Sequence, residues 1–107
     1  MPKNRRNPKD PKDPTHPKNV IGRTVAKMRY QRGWTQEIFV ARMQFRGLLK
    51  MTRDILANLE CMRSVAHDIH VLYIADALGV SCQDLFPEIV QINGKVFHPR
   101  QSRKKKR

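Results

Sequence analysis

Acidic residues are scarce in this chain. Nine Asp and Glu face 22 Lys and Arg, a formal net charge of +13 over 107 residues. That imbalance points to a polyanionic partner. Long apolar runs are missing too: no stretch of 18 or more occurs, so no membrane-spanning helix and no membrane partner are expected. The basic N-terminus is followed by no apolar segment, so no secretory signal is expected. Cysteine is sparse. Cys61 and Cys82 are too few for a disulfide framework and match no CxxC spacing, which makes a reducing, intracellular compartment the expectation. Set beside His67 and His70 they fit no zinc-finger pattern, so neither a metal nor a cofactor is expected. No Ser-His-Asp set, glycine-rich phosphate loop or pair of catalytic carboxylates stands out. An enzyme is therefore not expected.

What is present is unevenly distributed. Residues 1–19 hold six Lys/Arg and two Asp (+4), residues 20–88 hold nine and seven (+2), and residues 89–107 hold seven and none (+7). A nearly balanced middle with cationic ends suits one small domain carrying two arms that follow a polyanion. The first arm, 1–18, places prolines at Pro8, Pro11, Pro14 and Pro17. This period of three favours an extended polyproline-type path. The segment "PKDPKDPTHPK" has no apolar residue able to join a core, so disorder is expected in the arm until it meets a partner.

From Asn19 the pattern becomes helical. Ile21, Val25 and Met28 recur on one helical face, and Gly33 can end that helix. Thr35 can cap a second helix, with Glu37 in its first turn, where the helix dipole favours a negative charge. Phe39, Val40 and Met43 continue the apolar face to Gly47. In "KMTRDILANLE", Thr52 is a cap, and Met51, Ile55, Leu56 and Leu59 form a stripe. A further helix carries Val71, Ile74, Ala75 and Leu78 inward and stops at Gly79. Ser81 with Asp84 resembles a capping box for a short fifth helix, which Pro87 halts. Trp34 and Phe86 read as core anchors. Beyond them, Asn93-Gly94 between two apolar runs is a hairpin signal, and "RQSRKKKR" is expected to be disordered. The organisation is thus an arm (1–18), a domain (19–88), and a short hairpin with a basic tail (89–107). The domain's small core leaves little room for an enzymatic cleft.

The order "RGWTQEIFVARM", "TRDILANLE", "ADALGVSCQDLFP" resembles the Cro/CI-like (XRE-type) helix-turn-helix family of transcriptional regulators, over about Val20 to Pro87. The resemblance implies an all-α, five-helix, lambda-repressor-like DNA-binding bundle. In it, helix 2 (about Gln36–Arg46) lies over the DNA backbone and helix 3 (about Arg53–Leu59) enters the major groove. The positions matching the family's base-facing slots are Arg53, Asp54 and Asn58. Thr52 and Gln36 match phosphate-contacting slots, and Arg63 matches a backbone-contacting basic position. The chemistry agrees with those roles: Arg can pair bidentately with guanine, Asn with adenine, and Asp can accept from cytosine. Asp54 reads first as a charge placed to favour the helix start, and only second as a selector for cytosine. The resemblance also implies a partly buried Arg29–Glu60 ion pair.

Three departures from the family pattern stand out, one of them Val40 where the family usually has Ala, which implies helices 2 and 3 set slightly further apart. The connector "QFRGLLKM" is about six residues longer than the family's compact turn, as in a longer-loop branch. No glycine follows helix 3, where Cys61-Met62 stand; either a left-handed residue there carries roughly 1 kcal/mol of strain or the chain takes a different path.

The expected function is a sequence-specific regulator that binds double-stranded DNA as a homodimer, in the cytoplasm on the nucleoid. Two alternatives come from other classes. One is an antitoxin-like or adaptor module gripping a protein through the C-terminal segment. The other is a general basic protein of RNA or ribosomes.

Overall fold

The computed structural model describes residues 17–100. The disorder expected for most of the first arm and for the last seven residues lies outside them. Four α-helices come first: α1 (Gly22–Gln31), α2 (Gln36–Phe45), α3 (Arg53–Glu60) and α4 (Asp68–Leu78). A single 3-10 turn, Cys82–Leu85, follows, then β1 (Val90–Ile92) and β2 (Lys95–Phe97). The two strands pair antiparallel, with Val90 opposite Phe97 and Ile92 opposite Lys95.

The helix starts follow local chemistry. The Thr35 hydroxyl accepts the Ile38 amide at 3.1 Å, and the Thr52 hydroxyl accepts the Ile55 amide at 3.2 Å. Each satisfies one of the amides a helix start leaves without a partner. The endings share one pattern. In α3, Arg63 N–H donates to Asn58 C=O and Met62 N–H to Leu59 C=O, both at 2.9 Å, which is a Schellman closure. The left-handed position of that closure is glycine after α1, α2 and α4, but after α3 it is Met62, at φ 62°. The strain foreseen for a chain without glycine at this point is therefore present.

The core gathers Val25 from α1, Phe39 and Met43 from α2, Met51 from the connector, Leu56 and Leu59 from α3, Ile74 from α4 and Leu85 from the 3-10 turn, all fully buried. Trp34 and Phe86 pack on its margin. Cutting Leu56 or Leu59 back to alanine would cost about 2–5 kcal/mol.

The expectation of a pure all-α five-helix bundle is corrected. The fifth helix is one 3-10 turn of four residues. Ser81 N–H is held by the Asp84 carboxylate at 3.2 Å, which starts the turn. Phe86, held extended at ψ 145° ahead of Pro87, ends it before an α-helical repeat can form. The chain then turns back at Asn93 and Gly94, both at positive φ, and forms an antiparallel hairpin where a helical bundle would have closed. The result is four helices plus a small hairpin. The strands pair chiefly with each other, and β2 is exposed along its length. The hairpin base is tied back by Gln83 Nε2 donating to Arg100 C=O at 3.3 Å.

Candidate nucleic-acid interface

The face that matters is built by α3 and the start of α2. Leu56 and Leu59 turn one side of α3 into the core, and Ile55 packs at its margin. This leaves Thr52, Arg53, Asp54 and Asn58 exposed along the opposite side. Arg63 is exposed just beyond the helix. Asp54 and Asn58 lie one helical turn apart, but the structure shows no bond between them, and neither side chain has a partner among the described residues. Asp54 lies in the first turn, where its charge faces the positive end of the helix dipole.

Two of the residues picked out in the sequence are engaged in ways the sequence did not reveal. The Arg53 guanidinium pairs with the Glu37 carboxylate of α2, Nε to Oε2 at 3.0 Å, with the side chains 59% and 67% exposed. Gln36 turns toward the protein, and its Nε2 donates to Glu60 Oε1 at 3.0 Å. One amide proton and the carbonyl oxygen of Gln36 remain available to a ligand.

Behind this face lies a buried network. Arg29 and Glu60 pair bidentately, at 2.7 and 2.9 Å, and Arg29 Nη1 also donates to Trp34 C=O at 2.9 Å. The ion pair implied by the family resemblance is thus present. The hydrogen bonds to Glu60 raise the Arg29 pKa against the opposing effect of burial, so the guanidinium stays charged. With Gln36 added, Glu60 joins α1, α2 and α3 at one carboxylate. Such pairs fix geometry more than they add stability.

No protein-family model, curated protein or solved structure matches this chain. The reading of the site therefore rests on its own geometry and on the motifs in its sequence.

Sequence reasoning overlooked Asn19, the residue that docks α3 onto α1. Its Nδ2 donates to Leu59 C=O at 3.0 Å and Ser64 C=O at 2.8 Å; its Oδ1 accepts from Ile21 and Gly22 N–H at 3.1 and 2.8 Å. An Asn just ahead of an apolar helical pattern was the available signal. Gly22 was overlooked as well. A Cβ there would fall 2.8 Å from the Glu60 carbonyl oxygen and closer still to that of Leu59. No sequence signal marks a crossing this tight.

The connector is also ordered. Gln44 Nε2 donates to Met51 C=O at 2.8 Å, and Met51 N–H to Leu48 C=O at 3.2 Å. Elsewhere, the His67 and His70 rings meet edge to face, with centroids 5.2 Å apart. His70 Nδ1 is buried without a hydrogen-bond partner among the described residues. Burial, and then the charge of His67, lower the His70 pKa. No group of three or more His, Cys, Asp or Glu among the described residues is placed to hold a metal. No helix among them is long and apolar enough to cross a membrane.

Proposed function

We propose that this protein is a sequence-specific DNA-binding transcriptional regulator that places α3 in the major groove of duplex DNA. One observation carries the reading. α3 is a capped helix, locked to the core by one side and by its C-terminal end, that presents Arg53, Asp54 and Asn58 outward from the other side. A rigid helix of this kind is what reading base edges requires, and those side chains can pair with guanine, cytosine and adenine. Thr52, Gln36 and Arg63 serve the phosphates on either side.

Arg53 must exchange Glu37 for a base. An exposed pair of this kind contributes only about 0.2–1 kcal/mol, less than the roughly 1–3 kcal/mol of a bidentate Arg–guanine contact, so the exchange is favourable. Asp54 acts first as a charge at the helix start and second as a selector for cytosine. The folded domain is close to neutral, so most non-specific attraction comes from the basic terminal segments. Binding as a homodimer on two half-sites, in the cytoplasm on the nucleoid, completes the proposal.

The test is a selection from random duplex DNA with the wild type and Arg53→Ala. Wild type should recover a preferred sequence, and Arg53→Ala should relax it at one position. A folded Arg53→Ala protein with unchanged preference and affinity would refute the assignment. Removing residues 1–16 and 101–107 should reduce the salt dependence of binding while the preferred sequence stays the same.

A second reading, an adaptor that grips a protein partner, is favoured by one feature: Ile89, Val96 and Phe97 are exposed around the hairpin. Loss of a protein partner on deleting residues 88–107, with DNA selection unaltered, would support that reading.

A further inference from the structure

In the connector between α2 and α3, two exposed residues, Leu49 and Lys50, stand between two that face the core. Met51 is buried, Leu48 packs at the core margin, and Leu49 between them is 75% exposed. Leu49 is not loose. Its own N–H donates to Gly47 C=O at 3.0 Å, Leu48 N–H donates to Met43 C=O at 3.0 Å, and Met51 is tied at both its N–H and its C=O. The connector thus holds an isobutyl group out in water, three residues before the Thr52 cap.

Position gives that group a role. Leu49 and Arg53 are four positions apart, so even a fully extended chain keeps their Cα atoms within about 14 Å. That is about four base-pair steps. With α3 N-terminus first in a major groove, Leu49 lies within reach of the same groove or its wall. Ile55, the apolar residue inside the first turns of α3, is turned against the core. Leu49 is then the exposed aliphatic group beside the helix start. The apolar feature of a major groove is the thymine methyl group. Lys50, also exposed, follows directly and matches a phosphate.

We infer that the connector is a second reading element, in which Leu49 selects a thymine by contact with its methyl group and Lys50 anchors the adjacent phosphate. This inference rests on the proposed DNA-reading role of α3. It adds a specificity position outside that helix. Because the hydrogen bonds already hold the connector, little ordering cost falls on binding.

The experiment uses the full chain and its selected duplex, with each thymine replaced singly by deoxyuridine, which lacks only the methyl group. Wild type should lose about fourfold in affinity at one thymine within roughly four base pairs of the base read by Arg53, the effect of uncovering one methyl group. Leu49→Ala should bind the parent duplex about as weakly and show no further loss at that thymine. Leu49→Met should keep the loss, and Phe45→Ala, whose side chain is exposed on the outer face of α2 beside Ile38 and Ala41, should leave it unchanged. Lys50→Ala should weaken all duplexes alike and lower the salt slope by about 0.9.

Wild type insensitive to every substitution, or Leu49→Ala retaining the full loss, overturns the inference. Self-association that Leu49→Ala abolishes, with no effect at any thymine, assigns the residue to a second copy and also overturns it. A preference that responds to Arg53→Ala but not to Leu49→Ala sinks this inference alone. Wild type with no preferred sequence sinks the DNA-reading proposal with it.

Discussion

Replacing Asn19 by alanine tests how α3 is held. Its side chain makes four hydrogen bonds, two accepted from the start of α1 and two donated to the end of α3 and the segment after it. They are not equal. Leu59 C=O keeps a second partner in Met62 N–H, so it is not stranded by the loss. Ser64 C=O is partly exposed, and water can replace the amide there at small cost. The amides of Ile21 and Gly22 lie in a buried setting, and each loses the bond that satisfies it. At about 1–3 kcal/mol for each stranded buried group, less some relaxation, Asn19→Ala should cost about 2–4 kcal/mol. For a domain of this size that lowers Tm by roughly 10–25 °C. Thermal unfolding followed by far-ultraviolet circular dichroism measures it. Asn19→Asp separates the two halves of the clamp: it keeps the acceptor for the two amides but sets a second oxygen against the Leu59 and Ser64 carbonyls. It should be no more stable than Asn19→Ala. A fall in Tm below about 5 °C for alanine, or an aspartate variant clearly more stable than the alanine one, would refute this account.

Three further predictions follow from the same geometry. Glu37→Gln frees Arg53 and, under the proposed DNA-binding role, removes a negative charge near the phosphates, so it should tighten duplex binding by about two- to fivefold with stability changed by less than about 0.5 kcal/mol; a titration showing weaker binding would mean that Glu37 itself contacts the duplex. Gly22→Ala drives a methyl group into the carbonyls of Leu59 and Glu60, and urea unfolding should show a loss above about 3 kcal/mol or no cooperative transition; near-native stability would contradict the tight crossing. His70, whose pKa is lowered on folding by burial and then by His67, binds fewer protons in the folded state than in the unfolded one. Its contribution is therefore complete above its ordinary value near 6.5 and is lost as pH falls through that value toward the lower folded one. The fall in Tm between pH 8 and pH 5.5 should be smaller in His70→Gln than in wild type.

What the sequence disclosed was chiefly what is local. Thr35 and Thr52 act as caps because a cap is a matter of four consecutive residues, and the apolar stripes give the core because helical period alone selects a face. The hairpin turn at Asn93-Gly94 is legible for the same reason. The short fifth element shows the limit of such reasoning. A capping box announces a helical start but not its length, and here the extended residue before Pro87 leaves space for one 3-10 turn. What stayed hidden joins residues far apart in the chain. Asn19 bonds to a carbonyl 45 residues away, and Arg53 meets Glu37 only because α2 and α3 cross where they do. Arg53, Asp54 and Asn58 could be placed on one exposed side from helical period. That Gln36 would turn inward to Glu60 could not, because the choice depends on a network of three helices.

The two ends of α3 are held by different means, and this bears on the proposed reading of DNA by that helix. Its C-terminal end is fixed to the bundle by the Asn19 clamp, the close passage of Gly22, the left-handed Met62 closure, and Glu60 with its partners on α1 and α2. Few rearrangements there leave all of these intact. Its N-terminal end is set by the Thr52 cap, the Gln44–Met51 hydrogen bond and the buried Met51 side chain. That end carries Arg53 and Asp54. A helix pinned at one end and aimed from the other takes its direction from the aiming segment, which here is the long connector. Under the proposed DNA-reading role, changes at Gln44 or Leu48 should therefore alter which bases Arg53 and Asp54 reach while stability falls modestly, whereas changes at Asn19, Glu60 or the fully buried Met51 should lower stability first and binding only as a consequence. Comparing the selected sequences of Gln44→Ala with the melting of Asn19→Ala separates the two ends.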